Sequence, residues 1–374
     1  MKKHSSVIFS IAVFFGIFIF SKFIIVAQQP NQPPDMAVDG AVKSEVIDTL
    51  LKDLTENYVF PDVAKRMADD IRARQKKKEY DGIDSARAFA GKLTEDLQSI
   101  SKDKHLRVRY SDRVMPIRQE RSEPTEEEKA EQARFTRMMN YGFEKLERLP
   151  GNIGYVNLRG FFDAGQPGAA ETVAAAMKFL SYTDALIFDL RQNGGGDPDM
   201  VALISSYLFG DKPVHLNSLY WRKGDQTNEF WTKPDLAANK FADKEVYVLT
   251  SNRTFSAAEE FSYNLKSLKR ATIVGETTGG GAHPGGVFRL GDHFGAFIST
   301  GRAINPITKT NWEGTGVEPD IKVPQDQALL TAHLSAMDNL LKKTGDEDLK
   351  NALRRQIEET RKQLDEMKKN VAKK

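Results

Sequence analysis

The chain has 374 residues, 40% hydrophobic and 28% charged, with a formal net charge of +2. That is the composition of a globular protein with room for two domains, and so small a charge, without a basic patch interleaved with aromatics, argues against nucleic acid as a partner. Cysteine is absent, which excludes disulfides, thiolate catalysis and Cys-ligated zinc and leaves the redox compartment open.

Lys2 and Lys3 precede an apolar run from Val7 to Ala27, interrupted by Lys22 and followed by a polar, Pro-rich stretch. Residues 1–27 have the layout of a secretory signal cleaved after Ala27, with a retained membrane anchor as the alternative. Either way the remainder is expected to be exported, periplasmic or extracellular, and to touch a membrane only through this segment. A polar linker at 28–42 leads to a helical domain at 43–111, where Val46, Leu50, Leu51, Leu54 and Tyr58 repeat at helical spacing. Two further amphipathic runs follow, and the pattern turns strand-like after Asp103. Residues 112–150 are dense in charge and read as a linker or solvated helix.

From 151 to 325 apolar strand segments alternate with helical ones, and this predicts an α/β core around a largely parallel sheet. Residues 287–304 read as antiparallel hairpin material. A helical extension, 326–374, completes the chain, and its polar part beyond Gly345 is expected to be an exposed, frayed helix.

Two segments could carry chemistry. In Val248-Leu249-Thr250-Ser251-Asn252-Arg253-Thr254-Phe255-Ser256 a buried strand meets a short turn, and a helix opens at Ser256. A serine there is either a plain helix N-cap or a nucleophile placed beside the free N–H groups of a helix start. In Asp189-Leu190-Arg191-Gln192-Asn193-Gly194-Gly195-Gly196 a strand runs into three glycines, which can turn backbone N–H groups into a cleft. A phosphate loop would need Lys and a hydroxyl residue next, whereas Asp197-Pro198-Asp199 follows. A second glycine cluster, 275–284, beside Trp312-Glu313-Gly314-Thr315-Gly316-Val317-Glu318-Pro319-Asp320, reads as the opposite wall.

Taken together, the order Asp-Leu-Arg-x-Asn-x-Gly-Gly, Thr-Phe-Ser-Ala-Ala-Glu, Gly-Glu-Thr-Thr and Gly-x-Gly-Val-Glu-Pro-Asp resembles the tail-specific, C-terminal-processing serine peptidases. The nearest branch is that of the tricorn core and the interphotoreceptor retinoid-binding modules. The resemblance implies a crotonase/ClpP-like α/β core, a small N-terminal helical domain, a peptide or protein substrate and no cofactor. It implies Ser256 as nucleophile, Gly195 and the N–H of Ala257 as oxyanion hole, His105 as base and Glu313 as its support. The family's lysine base falls on Gly281, so a Ser-Lys dyad is not expected. His283 is the second candidate base, and Gly194, Gly196, Gly280 and His283 are expected to line the cleft. A histidine base should titrate at about 6–7. Two departures stand out: Lys104 replaces the serine that precedes the branch's histidine, and residues 112–148 are too few for a PDZ domain. No metal site is evident. The rival reading is a non-catalytic binder of apolar ligands using Phe161, Phe162, Tyr220, Trp221, Phe230, Trp231 and Trp312; an acyl-CoA enzyme is a third, disfavoured by export.

Overall fold

The protein is described by a computed structural model covering residues 34–116, 125–236 and 240–371. The apolar N-terminal run and its cleavage point lie outside the described residues. Residues from Asp35 onward pack as one unit.

The chain begins with three helices, α1 (Gly40–Asn57), α2 (Pro61–Lys76) and α3 (Ala86–Ser101). Their starts follow from local chemistry. Asp39 accepts from the Val42 N–H and Ser85 from the Ala88 N–H, while Pro61 opens α2 where no N–H is needed. Their apolar faces, including Leu50, Leu54, Met67, Ile71, Phe89 and Leu93, are wholly buried. Each such side chain stabilises the fold by about 1.5–3 kcal/mol. Strand β1 (Arg107–Tyr110) follows, then α4 (Glu126–Met138) and β2 (Phe143–Leu149); the charged linker thus contains a capped helix and a strand.

Next come β3 (Ile153–Leu158), α5 (Ala169–Phe179), β4 (Ala185–Asp189), α6 (Pro198–Ser206), β5 (His215–Trp221), β6 (Gln226–Trp231), β7 (Glu245–Thr250), α7 (Ala257–Ser267) and β8 (Thr272–Gly275). The chain ends with β9 (Gly285–Arg289), β10 (Phe294–Ser299), β11 (Gly301–Ile304), β12 (Ile321–Lys322), α8 (Ala328–Lys343) and α9 (Glu347–Val371). The central sheet has the order β12-β8-β7-β4-β3-β2, parallel throughout except for the antiparallel edge pair β2–β3. Strict alternation divides its side chains: Val156, Leu186, Phe188 and Val248 join the core with α5, α6 and α7, whereas Tyr155, Ile187, Tyr247 and Leu249 pack under α8 and α9. The expected α/β core, N-terminal helices and C-terminal helical extension are all present.

The polar C-terminal helix is neither frayed nor free. Leu353, Ile357 and Leu364 form a narrow buried stripe that holds α9 to the core. A smaller sheet, β1-β10-β9, joins the N-terminal helices to the rest, and a third, β11-β5-β6, lies beside it in sequence.

Candidate active site

Strand β7 ends at Thr250 and α7 begins at Ala257, so the intervening turn must reverse within a few residues. Ser256 takes φ +55° and ψ −122°, a backbone state that costs an ordinary residue about 1–3 kcal/mol. Several bonds hold it there. Phe255 N–H donates to Asn193 O (3.1 Å), Thr254 Oγ1 to Leu190 O (2.8 Å), and Ser251 Oγ to Arg191 O (2.6 Å). The Ser256 N–H donates to Glu259 Oε2 at 2.9 Å. Glu259 is fully buried and also accepts from Thr278 Oγ1 (2.5 Å), Gly280 N (2.6 Å) and Gly281 N (2.8 Å). Burial pushes its pKa up, and these donors oppose the shift. Glu259 therefore ties the serine turn to the second glycine loop. In sequence it reads only as the third residue of a capping box.

The first glycine loop presses directly on the serine. A Cβ on Gly195 would lie 2.7 Å from Ser256 Cβ and 2.8 Å from Phe255 O, and its φ is +108°. Only glycine fits. Its N–H donates to Asn193 Oδ1 (2.9 Å), and Asn193 Nδ2 donates to Leu158 O. Among the described residues no acceptor meets the Ala257 N–H. Gly280 spends its N–H on Glu259 and so belongs to the wall behind the cleft.

The cleft itself measures about 620 Å³, and Ser256, His105, Gly194, Gly196, Phe255 and Phe297 are among its lining. His105 is half-buried. Its ring lies 4.5 Å from that of Phe255 and 5.7 Å from that of Phe297, and its N–H donates to Asp103 Oδ1 at 2.9 Å. Nδ1 is buried without a hydrogen-bond partner. Burial lowers the His105 pKa to about 4, with Asp103 pulling the other way. That corrects the expectation of an ordinary histidine: the site is too dry for one. Among the described residues no hydrogen bond joins His105 to Ser256.

His283 does not line this cleft. It stands behind it, with Nδ1 3.4 Å from both Asp103 Oδ2 and Glu313 Oε2, its ring against Phe60. Glu313 Oε2 also accepts from the Ala282 N–H, and burial pushes the Glu313 pKa up to about 7. Glu313 is thus placed against His283 and not hydrogen-bonded to His105. Asp103 is fully buried; burial would raise its pKa, but His283 and the hydrogen bonds it accepts bring it below the usual range. The facing atoms of Asp103, His283 and Glu313 all lie within 4.8 Å of one another and could hold a cation. Lys104, at the position where the branch has serine, donates from Nζ to Gly279 O.

The other described histidines have structural partners: His333 bonds Pro150 O, His293 bonds Ser111 O, and His215 stacks on Trp231. Of the aromatics considered for an apolar groove, Trp221 and Phe230 pack with Trp312 in one small cluster that includes Leu219 and Val317, and Trp312 touches a narrow pocket of about 50 Å³ that also reaches Ser256. Phe161 and Trp312 are buried, Trp312 Nε1 donates to Gly281 O, Trp231 is exposed, and none of the seven lines the cleft.

Two regions of the chain match family profiles: residues 152–323 match "Peptidase family S41", and residues 40–148 match "N-terminal domain of Peptidase_S41 in eukaryotic IRBP". The chain is similar to carboxyl-terminal-processing peptidase 2, chloroplastic, of Arabidopsis thaliana, at 29% identity over 196 residues, 48% of this chain and 35% of that one. It is similar to a carboxy-terminal-processing protease of Bartonella bacilliformis at 26% identity, over 48% of this chain and 40% of the relative. The matched region is therefore well under half the length of either relative. In fold it is similar to a lipoprotein from Streptococcus agalactiae, with a TM-score of 0.54 at 16% identity, covering 83% of this chain and 99% of that structure.

Proposed function

Because the chain belongs to peptidase family S41, we propose that it hydrolyses peptide bonds as a serine-type peptidase with Ser256 as nucleophile. The observation that carries this reading is the strained Ser256 backbone, fixed by buried Glu259 at the edge of a cleft shared with His105. A residue held in so costly a conformation by so many partners is doing more than capping a helix.

The reaction follows from the residues. Ser256 Oγ attacks the scissile carbonyl and His105 takes its proton, then returns it to the leaving amine. Water, deprotonated by the same imidazole, releases the acyl group from Ser256. The Ala257 N–H at the head of α7 faces the developing oxyanion. Gly195 can supply the second donor once its bond to Asn193 Oδ1 is shared or released. Closure must bring His105 onto Ser256, since resting sites are looser than working ones. Glu313, with Asp103 and His283, supports the base by holding the 279–283 loop against it; a Cβ on Gly281 would come 2.7 Å from His105 Cε1. The apolar N-terminal run supports export, and on that reading the substrates are unfolded or extended polypeptides outside the cytoplasm.

The test is labelling of the full chain by a fluorophosphonate probe. Ser256→Ala should lose both labelling and peptide hydrolysis while its melting temperature is unchanged. Near-normal turnover in that variant rejects the nucleophile.

A further inference from the structure

Sheet β1-β10-β9 has two unlike faces. Val108, Ala296 and Phe288 are cross-strand neighbours on one face and pack against α1–α3. On the other, Arg107, Phe297 and Val287 form one row and Arg109, Gly295 and Arg289 the next. This second face looks into the cleft: Arg107, Arg109, Val287, Gly295 and Phe297 line it together with Ser256. Residues two apart on a strand are separated by about 7 Å, so the row containing Arg109 lies one such step beyond Arg107 and Phe297.

The charges on this face are unbalanced. Arg289 is neutralised by Asp292. Among the described residues the Arg107 side chain donates only to a backbone oxygen, Lys104 O, the exposed Arg109 side chain has no hydrogen bond or ion pair, and no Asp or Glu lines the cleft. The wall is thus apolar at Phe255, Phe297 and Val287, with Arg107 at the end of the Phe297 row and Arg109 in the next. Val287 is 68% exposed on a strand that is the edge of its sheet among the described residues, available to an extended segment.

We infer that the cleft selects peptides carrying an acidic side chain a few residues from an apolar one, the apolar residue resting on Phe297 and Val287 and the carboxylate received by Arg109 and Arg107. The inference rests on reading this cleft as the substrate cleft and adds to it the class of substrate. A guanidinium pair facing a carboxylate in a half-dry groove provides charge-assisted bonds that a neutral amide cannot replace. Burial and repulsion from Arg109 already lower the Arg107 pKa, so an incoming carboxylate relieves an existing strain.

The experiment uses the full chain carrying Ser256→Ala, so that binding is read without turnover. Fluorescent peptides containing one Phe, with Glu or Gln placed two, three or four residues away, are titrated by anisotropy, each with a free and an amidated C-terminus. In at least one register the Glu peptide should bind about tenfold more tightly, and the advantage should shrink at high salt. Arg109→Gln should abolish the difference, and Arg109→Glu should reverse it in favour of a Lys peptide; Arg109 is exposed, so these variants should melt like the parent. Equal affinity for Glu and Gln in every register overturns the inference. So does a preference that follows only the free C-terminus, which would mean that a chain end is read instead. Failure of the wild-type chain to label with a fluorophosphonate would sink the peptidase reading while leaving acid-selective binding intact, so the two failures are distinguishable.

Discussion

The serine half and the histidine half of the site are built in opposite ways. Around Ser256 the turn is densely bonded: Glu259 takes four donors, and Asn193 bridges the glycine loop to Leu158. Around the histidines the groups are left open, with His105 Nδ1, His283 Nδ1 and Glu313 Oε1 buried and unpartnered. The first half lies at the ends of the adjacent core strands β4, β7 and β8 and is rigid by construction. The second is brought together from residues near 105, 283 and 313 and keeps the slack that closure on a substrate would take up. On the proposed mechanism the nucleophile is fixed in advance, and the base must be completed.

The largest effect that would break this comparison comes from the histidines. His105→Ala should lower kcat by about 10⁴-fold, and adding Ser256→Ala should cost little more, because such a pair acts as a unit. His283→Ala should retain far more turnover; the reverse order would move the base to His283. Next in size is Glu259→Ala. It strands buried donors on Ser256, Thr278, Gly280 and Gly281, and urea melts should show a loss of about 3 kcal/mol or more.

A smaller effect sharpens the open half. The folded pKa of Glu313, about 7, lies above its unfolded value, so the group favours folding below the usual carboxylate range and loses that contribution as pH rises towards 7. Glu313→Gln removes the charging cost. Its stability relative to wild type should therefore improve between pH 5 and pH 8, by about 2 kcal/mol in denaturant titrations. The smallest effect is in the pH profile. His105 must be neutral to accept a proton and its pKa is lowered to about 4, so kcat/KM should begin to rise well below pH 6.5. A midpoint at or above 6.5 would mean that the cleft is wetter than the structure implies.

Much of this was legible in the sequence where function is written into local pattern. A buried strand running into a polar turn and a helix-opening serine announces its geometry, and three glycines after a strand announce a tight approach. The remainder depends on partners distant in the chain. Glu259 looks like one half of a capping box until Thr278 and the 280–281 amides are seen to converge on it. The hairpin β5–β6 escaped because Gln226–Trp231 carries no apolar alternation on its exposed face. The packing of α9 escaped because only a narrow stripe of an otherwise polar helix is buried. Glu313 is expected to support His105, and its carboxylate lies against His283: order along the chain does not say which imidazole a carboxylate will meet.

The pairing of β1 with β10, which sets Arg107 opposite Phe297, also bears on timing. The strand that follows His105 finds its sheet partner, among the described residues, near the far end of the core, and such long-range pairing is slow to form. A growing chain carries His105 long before it has Ser256, and acquires the strand that pairs with β1 later still. A site that needs both residues would therefore form only once most of the core has been made, and a partly made chain would lack it.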